Sequence, residues 1–148
     1  YRIGYYERKK SMKILVMGLP GAGKTWLSER LQKHLECAWY NADKVRQMAN
    51  DWDFSPEGRV RQANRMRTFA DFEKQNNRFV ICDFVCPTRK TRDAFNPDIV
   101  IWLDTISKGR FEDTNNMFEI PSLIDYKVDK FLSDKEIEDI SKDILRGA

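Results

Sequence analysis

The sequence is poor in the residues that build metal cages and disulfide scaffolds. Its 148 residues include three cysteines, Cys37, Cys82 and Cys86, an odd set without CxxC spacing, and one histidine, His34. Zinc ligation and a disulfide framework are both disfavoured, and a reducing, cytoplasmic setting is expected. Long apolar runs are also missing: none approaches the ~18 residues that a membrane span requires. The N-terminal YRIGYYERKKS lacks the apolar centre of a signal peptide, so a soluble chain without a membrane partner is expected. Nor is there an excess of one charge, since 26 Lys and Arg face 23 Asp and Glu for a net +3. That balance argues against a general nucleic-acid binder, and any anion site must be local. No repeats or low-complexity stretches occur.

The length suits one domain. Residues 12–148 are expected to form it, with residues 1–11 read as a short extension, an added remnant or an unusual leader. A homodimer is left open.

The apolar run KILVM at 13–17 leads into GLPGAGKT at 18–25, and the following residues place Trp26, Leu27, Leu31 and Leu35 at helical spacing. This is strand, loop, helix. The pattern GxxxxGK[ST] in that context is a phosphate-binding loop, in which glycines let the backbone wrap closely and successive N–H groups face the phosphate oxygens. Gly18, Pro20, Gly21, Ala22, Gly23, Lys24, Thr25 and Trp26 are therefore expected to hold ATP. Lys24 would reach the β- and γ-phosphates, and the Thr25 hydroxyl would hold Mg²⁺. The loop alone does not decide between transfer, hydrolysis and sensing.

A short strand is expected around Ala38–Tyr40, a helix from about Ala42 to Asn50, and a longer helix from about Glu57 to Lys74 carrying Val60, Ala63, Met66, Phe69 and Ala70. Two more apolar runs, 79–83 and 99–104, each end in aspartate. Alternating strands and helices imply a three-layer α/β/α domain with a mainly parallel sheet. The tail opens with the capping box Ser133-Asp-Lys-Glu136 and continues with Ile137, Ile140 and Ile144 on one face. Disorder is expected at the N-terminus and over Lys108 to Asn116.

Ligands in open α/β sheets bind beyond the C-terminal strand ends, which brings Asp43 near the phosphates. It could orient Mg²⁺ or accept a hydroxyl proton, or it could simply cap its helix. Arg59, Gln62 and Arg65 share one helix face. Two guanidiniums and an amide suit an oxyanion or a nucleotide edge, though the helix alone reads more readily as a solvated basic face.

Taken together, the motifs resemble those of the adenylylsulfate kinases, which transfer the γ-phosphoryl of ATP to the ribose 3′-hydroxyl of adenylyl sulfate. GLPGAGKT resembles that family's phosphate loop, NADKVR its LDGDNVR, and DWDFSPEGRVRQANR its DLGFS…R..N.RR segment. FVCPTRKTRDAF at 84–95 is similar to FISPYR.DRD.AR, and FEDTNNMFEIP at 111–121 to FTGIDDPYEAP. The resemblance implies a P-loop kinase in which Phe54 and Phe111 sandwich the acceptor's adenine. It also implies that Arg46, Arg59 and Gln62 contact adenylyl sulfate, that Val85 and Cys86 set backbone groups near its sulfate with Arg89 nearby, and that Asp43 is the Mg²⁺-linked carboxylate. Asn41, Gln62, Cys86 and Asp83 depart from the family pattern, and Asp83 could add a carboxylate to the metal's water shell. The family's lid is almost wholly missing before Phe111, leaving Lys108 and Arg110 on a shortened loop. Alternatives stand beside this reading: another small P-loop kinase, in particular a polynucleotide 5′-kinase, whose D..R element YNADKVRQ also resembles, and a non-catalytic nucleotide binder, which a lost lid would suit.

Overall fold

The computed structural model describes residues 11–107 and 112–147. Five strands, β1 (Lys13–Met17), β2 (Ala38–Asn41), β3 (Val80–Asp83), β4 (Ile99–Leu103) and β5 (Tyr126–Val128), form one sheet in the order β2-β3-β1-β4-β5. Each pairing is parallel. The connecting helices are α1 (Lys24–Leu35), α2 (Ala42–Ala49), α3 (Pro56–Gln75), α4 (Arg89–Phe95), α5 (Glu112–Met117) and α6 (Asp134–Gly147).

The continuous apolar runs form this sheet because side chains alternate across its plane and both faces are covered. Ile14 and Val16 of β1 join Ile81, Ile99 and Ile101 against Leu27 and Leu31 of α1 and Ile137 and Ile144 of α6. Leu15 and Met17 point the other way, joining Val80, Cys82, Val100 and Trp102 against Ala63, Met66 and Ala70 of α3 and Phe95 of α4. Each fully buried Leu, Ile or Met contributes about 1.5–3 kcal/mol by leaving water. Charged side chains share this interior, Lys13 among them. Lys13 is buried, and its ammonium donates to Asp71 at 2.8 Å and to the Phe95 carbonyl at 3.2 Å.

The expected strands and helices are present within a residue or two of their anticipated ends. At Ser133 the capping box is formed in both directions: the Glu136 N–H donates to the Ser133 hydroxyl at 3.1 Å and the Ser133 N–H to the Glu136 carboxylate at 2.9 Å. The expectation of disorder over Lys108 to Asn116 is corrected in part, because Glu112–Met117 is helical; residues 108–111 fall outside the described residues, as do 1–10. Besides α5, two elements were not anticipated, α4 and β5. The first is seven residues dominated by charge and is set by a Thr88–Thr91 capping box, while the second is three residues long.

The strand order fixes where a ligand can sit. From β1 the chain crosses over β3 to reach β2, and from β3 it crosses over β1 to reach β4. These connections leave in opposite directions, opening a crevice beyond the C-terminal ends of β1 and β3. The glycine loop follows β1, and Asp83 ends β3.

Candidate active site

One cleft of about 790 Å³ occupies this crevice, with the glycine loop at one end and the start of α3 at the other. The loop is shaped by its own backbone. Gly21 and Gly23 adopt left-handed φ of 92° and 103°, a region that costs other residues energy. At Gly18 the constraint is packing, since a Cβ there would lie 2.7 Å from the Leu103 carbonyl oxygen. Gly18 and Ala22 support the loop from behind and do not line the cleft, whereas Pro20, Gly21, Gly23, Lys24, Thr25 and Trp26 do. The first turn of α1 has no acidic side chain, so the helix N-terminus keeps its favourable field for an anion. The Lys24 ammonium donates to the Leu19 carbonyl at 3.1 Å.

Opposite the loop, a chain of polar groups links three elements. The Asn41 amide donates to Asp83 at 2.9 Å and lies 3.3 Å from the Thr25 hydroxyl, while the Trp39 indole donates to the other Asp83 oxygen at 3.2 Å. Burial pushes the Asp83 carboxyl above the ordinary carboxylate range, opposed chiefly by the Trp39 donor and by the charge of Lys24. The residue that caps α2 is Asn41, whose side-chain oxygen accepts from the Lys44 N–H at 3.1 Å. Asp43 is therefore not the cap. It lies in the first turn of α2, exposed and on the cleft wall.

The far wall comes from α3 and the loop before it. Arg59 and Gln62 are buried, which overturns the solvated-face reading for these two. Arg59 donates to Thr114 of α5 at 2.8 Å and to the Phe54 carbonyl at 3.0 Å. Gln62 donates to the Ala42 carbonyl and accepts from Arg65. Arg46 is 4% exposed, donates to the carbonyls of Asp51 and Asp53, and sets its guanidinium 4.2 Å from the centre of the Phe54 ring. Burial pulls its pKa below the usual guanidinium value, against the pull of Asp51. Phe54 itself is 44% exposed into the cleft.

Val85 and Cys86 line the floor. Cys86 holds a left-handed φ of 48°, and burial pushes its thiol up to about 12. Cys37 and Cys82 are buried as well. Arg89 is not brought here. It is exposed, lies 3.9 Å from Asp93, and does not line the cleft. The half-buried arginine of α4 is Arg92, which braces the floor through the Cys86 and Pro87 carbonyls at 3.0 and 3.1 Å. Phe111 lies outside the described residues, as do Lys108 and Arg110. Trp52, Thr91 and Thr114 are among the wall residues that the sequence reading did not single out. For Trp52 a signal existed, because it stands two residues before Phe54 in DWDFS and so points the same way in extended chain.

A parallel sheet in this order, with a glycine-rich loop between β1 and α1 and a cleft above β1 and β3, defines a P-loop nucleotide-binding fold of the kinase type. The chain belongs to the AAA domain family, whose model matches residues 14–114. It is similar to "Probable adenylyl-sulfate kinase" of Aeropyrum pernix, 31% identical over 94 residues that cover 57% of this chain and 50% of that protein. Adenylyl-sulfate kinase of Halothermothrix orenii is also 31% identical over 94 residues, covering 60% of this chain and 51% of that protein. The chain thus spans about half the length of the curated relatives it matches. Among solved structures, Mycobacterium tuberculosis APS kinase CysC in complex with AMPPNP and APS has a TM-score of 0.72 at 15% identity, with 92% of this chain and 96% of that chain covered. An unliganded sugar kinase from Janibacter sp. has a TM-score of 0.69 at 16% identity, covering 93% and 96%. At such identities the structures share the fold. The curated relatives bear out the resemblance to adenylyl-sulfate kinases read from the motifs. Among the described residues no helix is long and apolar enough to cross a membrane.

Proposed function

We propose that the chain is an ATP-dependent phosphotransferase that moves the γ-phosphoryl of ATP to the 3′-hydroxyl of adenylyl sulfate. The observation that carries this reading is the continuity of one cleft, which runs from Lys24 and Thr25 past Asp43 to Phe54, Arg46, Arg59 and Gln62. Its loop end suits a phosphate donor and its aromatic end a planar acceptor. The named relatives add support for the acceptor.

In this reading Lys24 leaves the Leu19 carbonyl when ATP enters and holds the β- and γ-phosphates, while the loop N–H groups cradle them. The acceptor's ring lies on Phe54, and Arg46 and Arg59 give its anionic end a positive neighbourhood in a partly desolvated setting. The 3′-oxygen bonds to the γ-phosphorus as the bond to the β–γ bridging oxygen breaks, ADP departs with that electron pair, and Asp43 accepts the hydroxyl proton. Magnesium fits the oxygen donors at the loop end of the cleft, since this ion takes one or two protein oxygens and fills its remaining positions from phosphates and water. Thr25 and Asp43 would hold it. When bound, the ion offsets the charge that builds on the transferring phosphoryl group.

The test offers ATP and Mg²⁺ with adenylyl sulfate, with a 5′-hydroxyl oligonucleotide, or with neither. Phosphorylated adenylyl sulfate is the expected product. Label found only on the oligonucleotide, or ADP released at the same rate without an acceptor, would sink the proposal.

A further inference from the structure

Residues Asp51 to Ser55, DWDFS, alternate in direction as extended chain does. The two aspartates turn toward α3. Asp51 receives both Nε and Nη2 of Arg61, at 2.8 and 3.0 Å, and Nη2 of Arg65 at 2.8 Å; Asp53 receives Arg61 at 3.1 Å. The backbone is held too, with Arg46 on the Asp51 and Asp53 carbonyls and the Ser55 N–H on the Asp53 carboxylate at 2.9 Å. Three arginines and an N-cap thus fix a loop of five residues.

The two side chains left over are aromatic and face the cleft. Trp52 is 51% exposed and Phe54 44%, and their ring centres lie 6.5 Å apart with planes inclined by 43°. Large apolar surface held open to water on so tightly pinned a loop is costly to the fold, and a rigid support of this kind suits a binding site. The Phe54 ring already has the guanidiniums of Arg46 and Arg59 at 4.2 and 5.3 Å from its centre, while among the described residues Trp52 meets no ring or guanidinium other than Phe54.

Resting on the acceptor reading above, we infer that Trp52 is a substrate-binding and specificity-determining residue, forming with Phe54 an aromatic platform for the planar base of the acceptor nucleotide. The base stacks on one ring and meets the other at a tilt, and its phosphate-bearing sugar extends toward Arg46 and Arg59 and the phosphoryl donor beyond. Two inclined rings grip a fused purine better than a single six-membered pyrimidine, because the larger ring system reaches both. The platform therefore selects a purine nucleotide.

The test measures binding by calorimetry with the loop end saturated by a non-hydrolysable ATP analogue. The probes are AMP, CMP, ribose 5-phosphate and adenylyl sulfate, and the proteins are the wild type, Trp52→Ala and Trp52→Phe. Stacking contacts of this kind are worth about tenfold or more in affinity. AMP should bind Trp52→Ala about tenfold or more weakly, Trp52→Phe should keep most of the affinity, and ribose 5-phosphate should bind all three alike. Melting temperatures should be nearly equal, as Trp52 is half exposed. Equal AMP affinity in wild type and Trp52→Ala overturns the platform, as does loss of ribose 5-phosphate binding in step with AMP. Failure of the acceptor reading looks different: wild type then binds AMP in a Trp52-dependent manner yet neither binds nor phosphorylates adenylyl sulfate.

Discussion

Replacing Gly58 with alanine separates the demands of the α3 helix from those of the loop packed on it. Gly58 sits in the first turn of α3, where its N–H donates to the Ser55 hydroxyl at 3.1 Å. From helix propensity alone, Gly58→Ala should stabilise by up to about 1 kcal/mol. The tertiary contact reverses this sign. A Cβ at position 58 would lie 2.2 Å from the Asp53 carbonyl oxygen, 2.5 Å from its Cγ and 2.8 Å from its carbonyl carbon. Two of these are main-chain atoms, which no side-chain rotation can move. The loop must retreat by roughly 1 Å to reach ordinary contact distance, at a typical overpacking cost of about 1–3 kcal/mol. That movement disturbs the Arg46 bond to the Asp53 carbonyl and the Arg61 bond to its carboxylate. It also displaces Phe54 and Trp52, and displacement of about 1 Å within a site can cost on the order of a hundredfold in rate. The expected result is a melting temperature lower by several degrees, a KM for the acceptor raised at least tenfold, and a KM for ATP nearly unchanged, because the glycine loop is not touched. A variant as stable as wild type with an unchanged acceptor KM would refute the reasoning.

The remaining predictions follow from single contacts. Lys24→Ala should abolish phosphoryl transfer while leaving the circular dichroism spectrum and melting temperature close to wild type, since its ammonium bonds the rim of its own loop; measurable turnover would remove Lys24 from the phosphates. Ile81→Ala, in the central sheet and fully buried, should cost about 2–5 kcal/mol in urea unfolding, and a loss under 1 kcal/mol would contradict the core assignment. The Arg61 and Arg65 guanidiniums hold the Asp51 carboxyl well below its ordinary 3.8. A depressed folded value means that its stabilising effect is complete above the ordinary value and is lost as pH falls through the folded one. The stability of wild type should therefore decline more steeply below about pH 4 than that of Asp51→Asn, which already lacks the charge; parallel acid limbs in the two proteins would show that the pair contributes nothing to the pH dependence.

Local pattern made much of this molecule legible. The phosphate loop needs glycine, lysine and threonine at fixed spacing, and the buried strands need uninterrupted apolar runs, so both could be read directly. The same holds for α3 and for the Ser133 capping box. What escaped was set by contacts distant along the chain. Sequence spacing cannot tell which of two arginines three apart on α4 turns inward. Arg92 does so because the Cys86 and Pro87 carbonyls await it, while Arg89, the residue that motif similarity favours, remains in solvent. The role of Asp43 was open for a related reason, because an aspartate there can also cap a helix; the cap is Asn41, which the bond to Asp83 on the neighbouring strand fixes in place.

The sequence by itself determined the glycine-rich loop at residues 18–25 and the layered sheet that carries it, because backbone conformation and burial of apolar runs are local consequences of residue type. Only the tertiary structure decided which side chains share the cleft. Strand crossing at β1 and β3 opens the space, and three arginines spread over two helices hold the Asp51 to Ser55 loop so that Trp52 and Phe54 face inward. Such convergence depends on distances between segments that one-dimensional spacing does not encode.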